Sequence, residues 1–542
     1  MNIDIAATDI IPLYLDSLGI ISSLTKELGI ADKIDAKLYN NDKRRKVTPD
    51  KAVEAMILNT LGFSERALYL TPNFYRTKPV SQLLGSNIKS EDLNDNTLGH
   101  ALDEIDEYGS TKLFSEIVFE IALEKDLLNN INNVDTTTFS FHGNYNNKED
   151  DDLDSDEIAR VNITHGYSKD KRPDLKQVTL SMVMNNKLNI PIFIESLDGN
   201  SSDKKSLQET IERVEKFTSN IDLEKPFTWI ADSALYNKNR LLKTNNFVWL
   251  TRIPNTLAES KKFLSTPYSS LEWQKTESDY EYTEKASNYG GVKQKWLMYY
   301  SPQKYEIDKS KFKERFSKEE ELLKTLRAKY ESKSYSTEAI CKINETKIKE
   351  SRKYHSITTE IKKSEKRYKI KIKIKVKEEV IELKKRSFGR FILGTNDVNE
   401  CHYKSTSILD LYKSQQNIER GFRFLKDPYF MSDIFYLKKE ERISSLLMIM
   451  TMTLLVYNYG QEKLNKNLKN TSSTLPNQKR KEKARVTLKW VFKLMSGISV
   501  LQIKQGSNKE EKMSKISDLQ KKIIRMLCEK DNVYGLPTVD TS

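Results

Sequence analysis

Cysteine is nearly missing from this chain. Three occur in 542 residues, Cys341, Cys401 and Cys528, far apart and odd in number. That excludes a disulfide framework and a cysteine-based metal site, and it points to a reducing compartment. Long apolar runs are missing too. The longest, Leu446–Val456 ("LLMIMTMTLLV"), is too short to span a bilayer and reads as a buried core helix. The opening "MNIDIAATDIIPLYLDSLGI" lacks a basic segment followed by an apolar block, so no secretory signal is expected. A soluble, cytoplasmic protein without a membrane partner follows as the expectation. There is no internal repeat. The most acidic stretch, "EDDDLDSDE" at 149–157, has neither spaced ligands nor the Gly turn of a calcium loop and reads as a solvated loop.

What is present is apolar enough to fold and basic enough to attract a polyanion. Hydrophobic residues make up 37 %, with 26 Tyr and 20 Phe, so the chain builds real cores. Its length calls for two to four domains. The net charge of +13 suits a nucleic-acid partner. The excess of Lys, Asn and Ile is also what AT-rich coding produces, and charge alone leaves both readings open.

Residues 1–125 read as helices. "VTPDKAVEAMILNTLGF" offers Thr48 as N-cap, Pro49 at the first helical position and Asp50 in the first turn. "TLGHALDEIDEYG" and "TKLFSEIVFEIALEKDLL" keep apolar residues at helical spacing. The basic "NNDKRRKV" before them is a solvated loop or a contact. From about residue 128 the pattern turns to strands: "INNVDTTTFSFHG", "KQVTLSMVMNN" and "NIPIFIESLDG", the last two joined by a turn at 185–189. A helix, "DKKSLQETIERVEKFTS", a strand running into a helix, "PFTWIADSALYNKNRLLKT", and a strand, "FVWLTRIP", complete an α/β pattern with a mixed sheet. Residues 260–387 interrupt it with a Tyr- and Trp-rich part, a charged helical span over about 308–366, and "YKIKIKIKVKEE". There Ile370, Ile372, Ile374 and Val376 point one way and lysines the other. That cationic face either tracks a phosphate backbone or keeps the sheet soluble and its edge unpaired. The α/β pattern resumes over 388–465, and 466–542 reads as a helical C-terminal region.

One helix carries an unusual carboxylate. Placing Leu411–Asp427, "LYKSQQNIERGFRFLKD", at about 100° per residue with Tyr412 at zero puts Gln415 near 300°, Lys426 near 320°, Glu419 near 340° and Arg423 near 20°. Leu411, Ile418, Phe422 and Leu425 form the adjacent core stripe, between about 220° and 280°. Glu419 therefore sits where the helix leaves the core. Two further acids stand out. Asp135 lies inside a β-branched strand, where an Asp is disfavoured. Asp232 lies at the carboxyl end of "FTWIAD", the end where open α/β sheets bind ligands. Three acids on three elements could jointly hold Mg²⁺ or Mn²⁺.

The spacing Tyr412–x2–Gln415–x3–Glu419–x6–Lys426 resembles the Y-x2-R-x3-E-x6-K signature of bacterial insertion-sequence transposases of the DDE class, with Gln415 in place of the usual Arg. "IERGFRFLKDP", "VDTTTFSF", "HGYSKDKRPDLKQ" and "WIADSALYN" extend the resemblance over roughly residues 10–500. The resemblance implies an α/β fold with an RNase H-like mixed-sheet catalytic core, interrupted by an insertion domain. A helical N-terminal domain (1–125) would bind DNA. The core would run over 126–259 and 388–465, with the insertion at 260–387 and a helical C-terminal region at 466–542. Asp135, Asp232 and Glu419 would be the catalytic triad and hold two Mg²⁺ (or Mn²⁺) ions, which clamp the scissile phosphodiester, one at the attacking oxygen and one at the leaving oxygen. Tyr412, Gln415, Arg423 and Lys426 would meet terminal phosphates. Lys169, Lys171 and Arg172 would be DNA contacts from a basic loop. Trp273 or Trp296 either packs in the sheet or stacks on a base, as a Trp does at the hairpin intermediate of related enzymes. His142 and His165 lie near Asp135 and read as structural or site residues.

The expected partners are double-stranded DNA, as terminal inverted repeats and target, and a second copy of the chain. The expected location is the bacterial cytoplasm, at the nucleoid. The alternatives are a metal-dependent RNase H-like nuclease that cleaves without joining, and a catalytically dead DNA-binding transposase derivative.

Overall fold

The structure is a computed structural model that describes residues 8–38, 45–62, 68–85, 87–141, 161–219, 225–242, 247–348, 352–364, 367–427, 441–505, 508–528 and 532–536. The acidic run at 149–157, His142 and most of the basic cluster at 40–47 lie outside the described residues. The protein is a mixed α/β chain with a large mixed sheet. It divides into two compact units, Met1–Ala234 with Lys413–Ser542, and Leu235–Tyr412.

The first unit begins with a strand, β1 (Thr8–Tyr14), where helices were expected. Helices follow, among them Leu18–Glu27, Pro49–Leu61, Asp95–Tyr108 and Ser110–Glu124. Thr48 and Pro49 start their helix as expected, although the Thr48 hydroxyl makes no capping bond. The strands β2 (Ile131–Phe141), β3 (Lys176–Asn185), β4 (Ile190–Asp198) and β5 (Thr228–Ala231) lie in the order β4-β3-β2-β5. β3 pairs antiparallel with β2 and β4, and β5 runs parallel to β2. The turn between β3 and β4 is tied by Asn185, whose Oδ1 accepts from Lys187 N at 3.1 Å, and it needs Asn189 at φ 55°.

The two faces of these strands follow from period-two alternation. Ser181 on β3 meets Thr210 of the helix Asp203–Thr218, and Trp229 on β5 donates to Glu215 of the same helix at 2.7 Å. Thr136, paired with Ser181, and Asn132, paired with Trp229, share that face. Asn133 and Asp135 therefore face the other way, together with their partners Met184 and Met182.

The second unit adds β6 (Val248–Arg252), β7 (Gln274–Lys275), β8 (Glu281–Ser287) and β9 (Gln294–Tyr300). A separate ribbon is made of β10 (His355–Ser364) and β11 (Arg367–Val376), and β12 (Arg390–Thr395) closes the set. The order is β6-β12-β9-β8-β7, with antiparallel pairing. The unit is wider on both sides than the expected insertion at 260–387. Its charged span is helical only through Pro302–Glu331 and Glu338–Ile348. The remainder, "HSITTEIKKS", is a strand, because its Ile and Thr residues at period two pair along the length of β11.

Back in the first unit, the helix Glu441–Asn470 extends the expected core helix. Leu447, Met448, Met452, Leu455 and Val456 are fully buried along it. Among the described residues it is the one helix long and apolar enough to cross a membrane, and most of its apolar window is buried inside the protein. The C-terminal region is not helical throughout. Besides β13 (Leu475–Pro476) and β14 (Glu482–Lys483), it holds β15 (Ser499–Gln505) and β16 (Asn508–Met513). β15 pairs antiparallel with β1 and β16. That long-range pairing overrides the local helical reading at both chain ends.

Glycine is required at one close crossing. Gln177 on β3 exchanges backbone bonds with Thr164, at 2.9 and 3.3 Å, and its Nε2 donates to Gly199 O at 2.6 Å. A Cβ on Gly199 would strike the backbone carbonyls of Gln177 and Thr164, and one on Gly166 would strike Gly199 O. Gly199→Ala is expected to destabilise the first unit by about 1–3 kcal/mol, read as a lower midpoint in scanning calorimetry. The three cysteines are free, Cys401 exposed and Cys341 and Cys528 buried, and burial pushes the Cys528 thiol up to about 12. Maleimide should therefore label one thiol in the native protein and three in denaturant, as counted by mass spectrometry.

Candidate active site

Two of the three acids are set side by side by strand register. The parallel ladder of β2 and β5 ends at Val134 and Ala231. Asp135 and Asp232 occupy the next step of the two strands, whose axes lie about 4.8 Å apart. Both belong to the face turned away from the helix Asp203–Thr218. Asp232 follows β5 directly, and its Oδ1 accepts from Ala234 N at 2.7 Å, which closes the turn at the strand end. The Asp135 side chain is 21 % exposed, and its Oδ1 accepts from Thr136 N at 2.7 Å.

Lys169 lies along β2 past the end of the β5 ladder. Its backbone N donates to Thr138 Oγ1 at 3.1 Å, and its Nζ donates to Thr136 O at 2.6 Å and Thr136 Oγ1 at 2.7 Å. The same ammonium is 3.7 Å from Asp135 Oδ1. The loop "HGYSKDKRPD" is thus fastened to the strand that carries the first acid.

The third acid is on a helix over the same face. The single helix expected over 411–427 is two, Ile408–Lys413 and Gln416–Leu425. Between them Asn417 N donates to Ser414 O at 2.8 Å in a tighter turn. Ile418, Phe422 and Leu425 are buried as expected, while Leu411 is only half-buried. Ser414 Oγ donates to Asn133 Oδ1 at 3.1 Å, and Lys426 Nζ stands 5.5 Å over the Phe139 ring. Both contacts are on β2, so the helix runs parallel to that strand. Glu419 is about 7–8 Å along the helix from Ser414, and Asp135 about 7 Å along the strand from Asn133. They are level.

The helix also has a defined rotation. Gly421 rests on Met182 and Met184 of β3, a contact that leaves no room for a side chain without moving the methionines. Glu419 is about 200° around the helix from Gly421, on the flank turned away from β3. Lys426, about 140° from Gly421, reaches over β2. With the order β3-β2-β5, the Glu419 flank is the one toward β5 and Asp232. Glu419 is exposed there. Among the described residues no group of three His, Cys, Asp or Glu side chains is close enough to hold a metal ion.

The remaining predicted residues divide. Lys426 bonds Asp170 at 2.7 and 2.8 Å, and burial, aided by the nearby Lys169 charge, lowers its pKa against the Asp170 attraction. Arg423 is exposed on the Glu419 flank, whereas Gln415 is buried. Arg172 is exposed and forks onto Asp174, with Nη2 at 2.8 Å. Lys171 takes φ 59° in the same loop, and His165 is exposed. Tyr412 belongs to the second unit, as do both tryptophans. Trp296 is fully buried and donates to Gln294, the packing role. Trp273 is half-buried and stacks on Tyr268 at 4.9 Å.

Sequence reasoning missed Asp170 and Tyr167. Asp170 follows Lys169 and ties the same loop to the helix of Glu419, so that two consecutive residues grip strand and helix. Tyr167 is 88 % exposed beside them, the kind of flat aromatic on which a base stacks. The signal lies in the loop sequence itself, where Asp170 stands between Lys169 and Lys171.

A family model described as a domain of unknown function, DUF4277, matches residues 12–119. That domain is found in transposases. Among solved structures the chain is similar to a piggyBac transposase synaptic complex with hairpin DNA, at TM-score 0.37 and 8 % identity, over 88 % of this chain and 78 % of that one. No curated protein matches the sequence.

Asp170→Asn removes the partner of a largely desolvated ammonium and should cost about 1 kcal/mol. Adding Lys426→Met should recover part of that loss, because the unpaired charge is gone. Thermal unfolding of the two single variants and the double variant measures the coupling.

Proposed function

We propose that this protein is a DNA transposase of the DDE class, which cuts the ends of an insertion sequence and joins them to target DNA on an RNase H-like core. The observation that carries the reading is the register of Asp135 with Asp232, with Glu419 level with them on a helix over the same face. The Tyr412–Lys426 signature and the match to a domain found in transposases support it independently.

The donors available are oxygens only, which suits Mg²⁺ or Mn²⁺, and Asp135 already draws one cation, the Lys169 ammonium. Asp135 and Asp232 would hold the ions; Glu419, not close enough to share them in this structure, would become the third ligand once its helix draws toward the pair. Bound divalent ions would activate an attacking oxygen and neutralise charge at a leaving one. The chain's own part is to hold two acids rigidly on neighbouring strands and to present cations beside them. Arg423 and Lys426 on the helix, and Arg172 in the loop, supply positive charge for the terminal phosphates. Joining requires two ends to be held together, so the working form on double-stranded DNA is a homodimer.

Asp135→Asn, Asp232→Asn and Glu419→Gln should each lower Mg²⁺-dependent cleavage of an element end by about 10³-fold or more, while gel-shift binding to the same end persists. Chelation should do the same to the unaltered protein. Full cleavage by any of the three variants sinks the assignment. Cleavage without joined product in a strand-transfer assay would leave a nuclease in its place.

A further inference from the structure

The ribbon of β10 and β11 has two faces with separate duties. Ile370 and Ile372 are 1 % exposed and pack with Tyr335, Cys341 and Ile348. The opposite face carries Lys369, Lys371, Lys373 and Lys375 from β11, all exposed, and Lys362 from β10. Among the described residues of that face Glu360 is the one carboxylate, 3.7 Å from Lys362 and 3.6 Å from Lys373. Lys362 stands directly opposite Lys369. Like charges so placed destabilise a ribbon.

Neither bland duty accounts for that repulsion. The outer edge of β11 is covered by other groups. Tyr335 and Tyr368 exchange backbone bonds at 2.8 and 2.9 Å, and Glu331 accepts from Ile372 N at 2.8 Å. Edge protection therefore does not need the lysines. Solubility does not need them either, since Thr358 and Ser356, opposite Lys373 and Lys375, are polar without repelling. A face that destabilises its own ribbon is stabilised by a partner of opposite charge. Lysines on alternate residues recur about every 6.7 Å, twice the ~3.4 Å rise per phosphate along one strand of a duplex.

We propose that the lysine face of this ribbon is a sequence-independent binding surface for the phosphate backbone of double-stranded DNA. The choice of a duplex among polyanions rests on the proposed function, but the surface is separate from Asp135, Asp232 and Glu419 and is tested without cleavage. The full chain is titrated with an arbitrary 40-bp duplex by fluorescence anisotropy between 50 and 200 mM NaCl. The variant Lys369→Gln/Lys371→Gln/Lys373→Gln/Lys375→Gln should reduce the slope of log affinity against log salt by about 3 and weaken binding about tenfold or more at the upper salt. The four Lys→Arg replacements should retain the slope. A control variant with the same charge change on the helix Pro302–Glu331, Lys311→Gln/Lys313→Gln/Lys318→Gln/Lys324→Gln, should leave most of it. An unchanged slope in the ribbon variant, or an equal loss in the control, overturns the surface and leaves the catalytic reading standing. A slope lost on single-stranded RNA but kept on the duplex overturns the partner. Loss of cleavage chemistry with this slope change intact would count against the proposed function alone.

Discussion

The parallel pairing of β2 with β5 is the constraint on which the rest of this site depends. It sets Asp135 and Asp232 one step beyond the last paired residues, on adjacent strands and on one face. Because side chains alternate with period two, a slip of one residue in either strand would send one acid to the opposite face. Contacts on that opposite face hold the register. Ser181 meets Thr210, and Trp229 reaches Glu215, both on the helix Asp203–Thr218. Two carboxylates held so near one another call for positive charge. Lys169 supplies one such charge from within the fold.

The helix of Glu419 is fitted to β2 and β3 rather than merely laid on them. Gly421 lets its backbone approach Met182 and Met184, and Ser414 and Lys426 mark its two ends against Asn133 and Phe139 of β2. The loop of Lys169 and Asp170 grips strand with one side chain and helix with the next. The base of that loop is fixed by the crossing of Gly166 and Gly199 at Gln177. Packing at glycine therefore reaches the acids through a short run of contacts. The second unit carries its own basic chemistry. Its ribbon buries an isoleucine face and presents lysines on the other, an arrangement whose internal repulsion a polyanion bound there would relieve.

Much of this was legible in consecutive residues. Strands β2, β3 and β4 follow from β-branched and aromatic runs, and the ribbon strand β11 from strict alternation. The exposed flank of the Glu419 helix follows from the 100° step, because Ile418, Phe422 and Leu425 lie on the buried side. Asp135 and Asp232 stood out for a local reason as well, an acid within a strand and an acid at a strand end. What was misread was non-local. β1 looked like the start of a helical region, and β10 like the end of a charged helix.

Alternation, helical phase and the misfit of an acid in a strand are properties of neighbouring residues, so the amino-acid order determined them by itself. The pairing of β1 with β15 from the other end of the chain, the break at Ser414, the bond from Asp170 to Lys426 and the shared face of the acids were decided only by tertiary structure. Each depends on which distant groups are buried together. The free energy of that burial belongs to the whole packed unit, and no single window of sequence contains it.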